Sequence, residues 1–425
     1  MSDKTLQRLP LALAALMTCL SAHADFTSDD GRARLSGFGT VGAARTNTDD
    51  ALFNTPGQGG GTDKQIGMEA DTKIGVQGSY KFTDSISGTA QILAKYRASG
   101  QYQPEFEWAF AKWQTTPGLS IRAGRMGAPF FMISDFREVG YANTAIRPPL
   151  EVYGQVPFSS VDGGDINYQT NLGGATVNGT LWGGALRAEY AGALRGTSQG
   201  VTTAAEPIEI RLKKAIGLNL QVDFDGGYSL RIGHMQARAT VDSSSFDAVI
   251  SAANGFGLGA VAADALLVQG AKATFTGVGA SLDRDNIVLA TEFTKRRISK
   301  GAFADTTGWY VLGGYRFGKL LPYVVFSKLN VDDVNSSAPA TLGPLRPTVV
   351  ALQSGQYVAQ RTTAVGLRWD ALRNMDVKVQ FDHIKKPANS NGLFLVENPT
   401  AAADQAFQGA KKNINVISLA VDFVF

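Results

Sequence analysis

The stretch Met126–Ser160, MGAPFFMISDFREVGYANTAIRPPLEVYGQVPFSS, decides how the rest of the chain is read. It follows an alternating segment, Leu119 to Arg125 (LSIRAGR), and precedes another, Asp165 to Thr170 (DINYQT). The stretch itself does not alternate. Pro129, Pro148, Pro149 and Pro157 cannot donate to a ladder, which excludes a central strand. A connection of roughly 35 residues is far longer than usual and is either functional or disordered. Six aromatic residues (Phe130, Phe131, Phe136, Tyr141, Tyr153 and Phe158) are too many for a disordered segment. The segment must pack, and the space available is the one that its flanking strands enclose.

Outward from this loop, segments of about ten residues with period-two alternation recur to the C-terminus. They fall near 32–45, 66–81, 85–97, 104–115, 118–125, 161–171, 174–185, 206–224, 227–241, 270–282, 285–298, 306–317, 319–331, 359–371, 375–387 and 412–425. The connections alternate strictly. Seven are tight and rich in turn formers, such as Thr116-Pro-Gly118 and Leu172-Gly-Gly174. Between them lie eight others, most of them long and polar, such as 47–65, 186–205, 332–358 and 386–411. A soluble sandwich has no reason to keep that asymmetry. A membrane barrel does, with tight turns on one side and long loops on the other, and this parity puts both termini on the turn side. The region 243–267 has room for a short helix in one long loop.

The last strand supports a membrane barrel independently. Ile417, Leu419, Val421, Phe423 and Phe425 form one face, and Ser418, Ala420 and Asp422 the other. Such an edge would aggregate in water but suits lipid. Ile74/Val76/Tyr80, Phe106/Trp108/Phe110, Trp309/Val311/Tyr315 and Val365/Leu367/Trp369 repeat the pattern, with aromatics placed as an interfacial girdle.

The N-terminus reads as a cleaved signal peptide over 1–24. Lys4 and Arg8 precede an apolar core from Leu9 to Leu20, and Ala22-His23-Ala24 supplies the small residues of a cleavage site. The core is too short to span a bilayer. The single cysteine, Cys19, leaves with it, so residues 25–425, one barrel domain, hold no disulfide and no thiolate metal site. No later run of 18 apolar residues exists, which excludes helical spans. The 40 basic and 37 acidic residues give +3, and no basic field for nucleic acid follows.

The leader, about 16 strands, the terminal Phe425, the insertion after the fifth strand and the strand Leu119–Arg125 that leads into it together resemble the general-diffusion porins of Gram-negative outer membranes. The resemblance implies an all-β, transmembrane antiparallel barrel whose long constriction loop, 126–160, folds into the lumen. It implies a water-filled channel in the bacterial outer membrane for passive diffusion of small hydrophilic solutes and ions. Its partners would be outer-membrane lipid and lipopolysaccharide, and two further copies in a homotrimer. The Pro-Glu-Phe-Gly motif of many such loops is absent, and its nearest analogue is Pro149-Leu-Glu151-Val-Tyr-Gly154.

In that family, loop carboxylates face a row of basic wall residues across the lumen. The loop here offers Asp135, Glu138 and Glu151, with Arg137 and Arg147. If Ile74, Val76 and Tyr80 face lipid, Lys73 faces inward; the same parity places Lys95, Arg97 and Arg122 inside, with Glu105 and Glu107. The expected pore constriction is therefore Asp135, Arg137, Glu138 and Glu151 against Lys73, Lys95, Arg97 and Arg122. Arg316, Arg368 and Lys378 fall on the distal inner wall. Phe130, Phe131 and Tyr153 could stack on a sugar, but an infolded loop needs buried apolar area, which favours anchors.

Gly37-Phe-Gly39-Thr-Val-Gly42 matches a dinucleotide fingerprint, but it lies inside a strand and no helix follows. With Leu35, Val41 and Ala43 it makes instead a small-residue face suited to a trimer contact. The mature histidines, His234 and His383, sit beside no serine nucleophile or carboxylate dyad, and no catalytic or metal-spaced motif occurs. The expectation is a non-enzymatic protein without cofactor. The rival readings are a channel selective for a sugar or organic acid, a non-conducting structural barrel, and a barrel enzyme.

Overall fold

Period-two alternation becomes strands wherever neighbouring segments can satisfy each other's backbone groups, and here the ladder closes on itself. The computed structural model describes residues 26–191, 196–198, 201–203, 207–396 and 401–425. The expected signal peptide, 1–24, therefore lies outside the described residues. The barrel strands are β1 (Ala33–Thr46), β2 (Lys73–Lys81), β3 (Ile86–Tyr96), β4 (Tyr102–Thr116), β5 (Leu119–Gly127), β6 (Ser160–Leu172), β7 (Ala175–Tyr190) and β8 (Ile208–Phe224). The second half holds β9 (Tyr228–Asp242), β10 (Ala271–Arg284), β11 (Ile287–Ile298), β12 (Asp305–Tyr315), β13 (Leu320–Asp333), β14 (Gln360–Leu372), β15 (Met375–Lys386) and β16 (Lys412–Val424). Each pairs antiparallel with its neighbour, and β16 pairs with β1 from Phe38↔Val424 to Thr46↔Val416. The result is a closed 16-strand barrel with no free edge.

The tight turns are where expected. Between β10 and β11, Asp285 and Asn286 both take positive φ (50° and 68°), the backbone of a two-residue I′ hairpin. At the other end, the loop after β9 carries α1 (Ser244–Asn254), capped by the Ser243 side chain on the Phe246 amide, and α2 (Gly259–Leu266). With α3 (Arg346–Ser354) of the loop after β13, they bury Phe246, Val249, Leu266, Leu342 and Val349 in a small core of their own. Outward positions keep their apolar side chains exposed in a belt that includes Ile74, Val76, Leu220, Ile232, Val278, Phe326, Val365, Phe381 and Leu419.

Three local expectations change. The ladder of β2 starts at Lys73, not residue 66, because 66–72 turns back to bridge Ala44 through Gly67 and to bury Asp71. In β4 the register shifts opposite Gln91/Ile92, which pair with Trp108 and Phe106. That bulge flips the faces beyond it. Phe106 and Trp113 point outward, each 53% exposed, but Phe110 lies inside under the Arg122 guanidinium, 5.3 Å from its ring, and Trp108 lies beside Gly127. Finally, Gly37 and Gly39 are not an open flat face. A Cβ at either would lie 2.2 Å and 2.4 Å from the rings of Phe425 and Phe423, so the glycines seat the chain's own C-terminal aromatics across the closing seam.

Candidate pore constriction

The segment from Ala128 to Ser159 runs through the barrel interior and is fastened to the inward faces of nearly every strand from β7 to β16. Phe130 and Phe131 start it, edge-on to Phe275 at 5.5 and 5.4 Å; Trp182 meets Phe130, and Tyr153 packs at a tilt against Phe131 at 4.4 Å. Arg231 donates to the Pro129 carbonyl at 2.6 Å, and the Met132 amide donates to Glu292 at 3.0 Å. Tyr153 and Tyr310 both donate to Glu292. Phe130, Phe131 and Tyr153 are buried, so they act as anchors and present no stacking surface.

Farther along, the Gly140–Ala142 turn lies on the seam. Lys378 donates to the Gly140 carbonyl at 2.7 Å and to Asp422 at 2.8 Å, and Arg368 donates to the carbonyls of Tyr141 and Asn143. Thus Lys378 and Arg368 hold the loop and do not merely hydrate the wall. Arg316, by contrast, pairs with Asp283 at the turn end. Arg147, almost fully buried, donates to Asp71 (2.9 and 2.5 Å), Asp382 (3.3 Å) and Ser418 (2.9 Å), and its guanidinium lies 4.9 Å from the Phe53 ring. The single helical turn Leu150–Tyr153 brings Glu151 to Ser327 and Gln360, both at 2.7 Å, and to Thr362. Ser159 returns to Glu107 at 2.5 Å.

What remains open lies toward β2–β9, in two cavities of about 400 and 390 Å³. Arg137 and Glu138 face the first, and Asp135 the second, so the segment 134–138 stands between them. Of the eight expected residues, five meet at the first cavity. Lys73 and Lys95 both reach Glu138, at 3.0 and 2.8 Å, and Arg137 lies 3.5 Å from the same carboxylate. Burial alone would push that carboxyl up, but Lys73, Lys95 and Arg137 together hold it well below its ordinary range. Arg97 also lines this cavity, between Glu105 and Glu107, each at 3.4 Å.

Arg122 lines the second cavity, in a two-pronged pair with Asp165. Asp135 is exposed there and forms no ion pair with any described residue. Glu151 shares no contact with the basic row; it is consumed in the β13–β14 wall. The acid and basic groups at Glu138 touch directly instead of facing each other across open water. Sequence reasoning did not single out Glu292, Arg231 or Lys112, the last of which lines the second cavity. Parity alone places Glu292 inward, opposite to Phe293, but two of its partners, Met132 and Tyr153, come from a loop more than a hundred residues away.

Solved structures share this architecture over nearly the whole chain. The outer membrane channel DcaP of Acinetobacter baumannii is 12% identical, with 95% of this chain and 100% of that one covered and a TM-score of 0.53. OmpF of Salmonella typhi, solved with daunomycin, is 14% identical, covered 94% and 100%, at 0.51. An anion-selective porin from Comamonas acidovorans is 11% identical, covered 92% and 99%, at 0.51. The fold is that of the outer-membrane porins. No family model matches the chain, and no curated protein matches it.

Proposed function

We propose that the chain is an outer-membrane channel for passive diffusion of small hydrophilic solutes and ions, exported with cleavage of 1–24 and assembled as a homotrimer. One observation carries this reading: two charged and polar cavities flank the loop segment 134–138 inside a barrel whose outside is apolar. A polar lumen inside an apolar shell suits a solvated path and not a packed structural core. Catalysis is not part of the proposal, because His234 bonds Thr276, His383 bonds Asn415, and both share the outward face.

The local charge gives the path a sign. Lys73, Lys95 and Arg137 share one carboxylate, Glu138, and the lining of the first cavity as a whole holds seven basic and six acidic side chains, a surplus of one positive charge. The channel should therefore prefer anions. Single-channel recording in planar bilayers, with reversal potentials in a salt gradient, tests both points. Large steps in groups of three are expected; a silent bilayer would overturn the channel reading. Glu138→Gln should raise the anion-to-cation permeability ratio by roughly a few-fold, and Lys73→Gln with Lys95→Gln should lower it. Since the Glu138 carboxyl stays ionised below the usual carboxylate range, the difference in reversal potential between wild type and Glu138→Gln should persist from pH 7 down to about pH 4, where an ordinary glutamate is mostly protonated. A difference that vanishes by about pH 4 would mean that Glu138 protonates normally.

A further inference from the structure

We infer that the second cavity is a binding site for a polyhydroxylated monocarboxylate the size of a disaccharide. This assignment rests on the channel reading above and adds to it a bound solute, at a place that Lys73, Lys95, Arg137 and Glu138 do not line. The register of the strands builds the site. Ser120, Asn167, Thr180 and Asn219 are direct cross-strand partners on β5, β6, β7 and β8. One row nearer the tight turns, Asn178, Gln221 and Arg231 are partners on β7, β8 and β9. Both rows line the cavity. Four strands at about 4.8 Å spacing make a polar track about 14 Å long. The cavity lies on the turn side of the segment 134–138, since Lys112 and Ser120 flank the tight turn between β4 and β5.

Amides and hydroxyls on a water-filled wall are ordinary. What sets this wall apart is the set of groups left without partners. Asn219 is only 7% exposed; its Oδ1 accepts from Arg231 at 3.1 Å, and its Nδ2 is buried with no partner. Arg231 is nine-tenths buried, yet it forms no ion pair with any described residue. It donates through Nη2 alone, to the Pro129 carbonyl and to Asn219, so Nε and Nη1 find no protein acceptor among the described residues. Lys112 likewise pairs with no described carboxylate, whereas Arg122 beside it is neutralised by Asp165. Buried polar groups are normally hydrogen-bonded and buried charges normally paired. An unpaired guanidinium next to an unpaired amide, both in one cavity wall, leaves places for the groups of a ligand.

Charge decides the class of solute. The lining groups outside ion pairs are Arg231 and Lys112 against Asp135, a surplus of one positive charge. One carboxylate balances it, and the two free donor positions of Arg231 suit a two-pronged carboxylate contact. The rest of the track asks for hydroxyls. Asn178, Gln221 and Thr180 carry donors and acceptors side by side, and a solute that covered them with apolar atoms would strip their water without replacing its hydrogen bonds. A neutral sugar would satisfy the track but leave Arg231 buried and unpaired. The volume, about 390 Å³, lies in the range of about 300–1,000 Å³ that small-molecule sites occupy, and the track is about the length of two linked sugar units.

The test uses the refolded full chain in a planar bilayer. The probe is lactobionate, a disaccharide acid with one carboxylate; lactose is its neutral match, and hexanoate its match without hydroxyls. Lactobionate should interrupt the current in resolved blocks, with an affinity about tenfold or more above either match. Block should set in faster when it is added on the turn side, where the cavity lies; faster block from the long-loop side overturns the placement. Asn219→Ala and Lys112→Gln should each weaken lactobionate by about threefold to tenfold. Equal block by the three probes overturns the proposal, as does an unchanged lactobionate affinity in both variants. If Lys73→Gln with Lys95→Gln weakens the block and the two cavity variants do not, the solute sits in the first cavity and the assignment falls. Should Asn219→Ala fail to fold, Lys112→Gln decides alone, because that side chain bonds to no described residue. Calorimetry on the same protein in detergent separates the two readings. Lactobionate binding without conductance strikes only the channel, and conductance without binding strikes only this site.

Discussion

Arg147→Met is expected to raise single-channel conductance and to expose the segment 128–159 to protease, while the barrel stays folded. Arg147 is the buried counter-charge of Asp71 and Asp382, which are themselves nearly inaccessible. Removing one partner of a buried ion pair costs about 3–5 kcal/mol, because the remaining charges stay desolvated without compensation. The ladder of sixteen strands does not depend on this contact, so the cheapest relief is local: the loop lifts away, and water reaches the two carboxylates. The loop end that moves is the one that crosses from the seam at Ser418 to Asp71 in the loop before β2. Unchanged conductance together with unchanged protease resistance would mean that the remaining contacts, Lys378 on Gly140 and the Glu151 triad, suffice to hold the loop.

The second large effect is expected at the opposite end of the loop. Phe131 is fully buried between Tyr153, Phe130 and Phe275. Phe131→Ala should cost about 3–5 kcal/mol of local stability through lost burial and the cavity left behind. Tyr153 would lose the ring packed against it, and with it the geometry that aims its hydroxyl at Glu292. The variant should show excess open-channel noise, because the Pro129–Met132 segment beside the second cavity loses its fixed position. Phe131→Leu, which restores much of the volume, should recover most of the quiet conductance. If alanine and wild type give the same noise and the same hydrogen exchange at Met132, the aromatic cluster is not what holds this end.

These two anchors mark the limit of what was legible beforehand. The loop was visible as a loop, since four prolines and a missing alternation exclude a strand whatever surrounds them. That Phe130, Phe131 and Tyr153 serve as anchors followed from the need of an infolded segment to bury apolar area. That Arg147 would find Asp71 and Asp382, or that Glu151 would be absorbed by Ser327, Gln360 and Thr362, did not follow, because each contact joins residues brought together only by closure of the barrel. Glu138 and Glu151 were indistinguishable as loop carboxylates in the sequence. One gathers three cations and the other none.

By itself the sequence determined the strands, their number, the alternation of tight turns with longer loops, and the inward direction of Lys73, Lys95, Arg97 and Arg122. All of these depend on the two-residue period of an extended backbone, a property of neighbours in the chain. The tertiary structure decided where that period breaks, as at the β4 bulge that turns Trp108 and Phe110 inward. It decided also that Gly37 and Gly39 receive Phe425 and Phe423, and which side of the lumen the loop fills. Those outcomes depend on packing and charge pairing between segments far apart in the chain, whose relative positions are set only when β16 closes against β1.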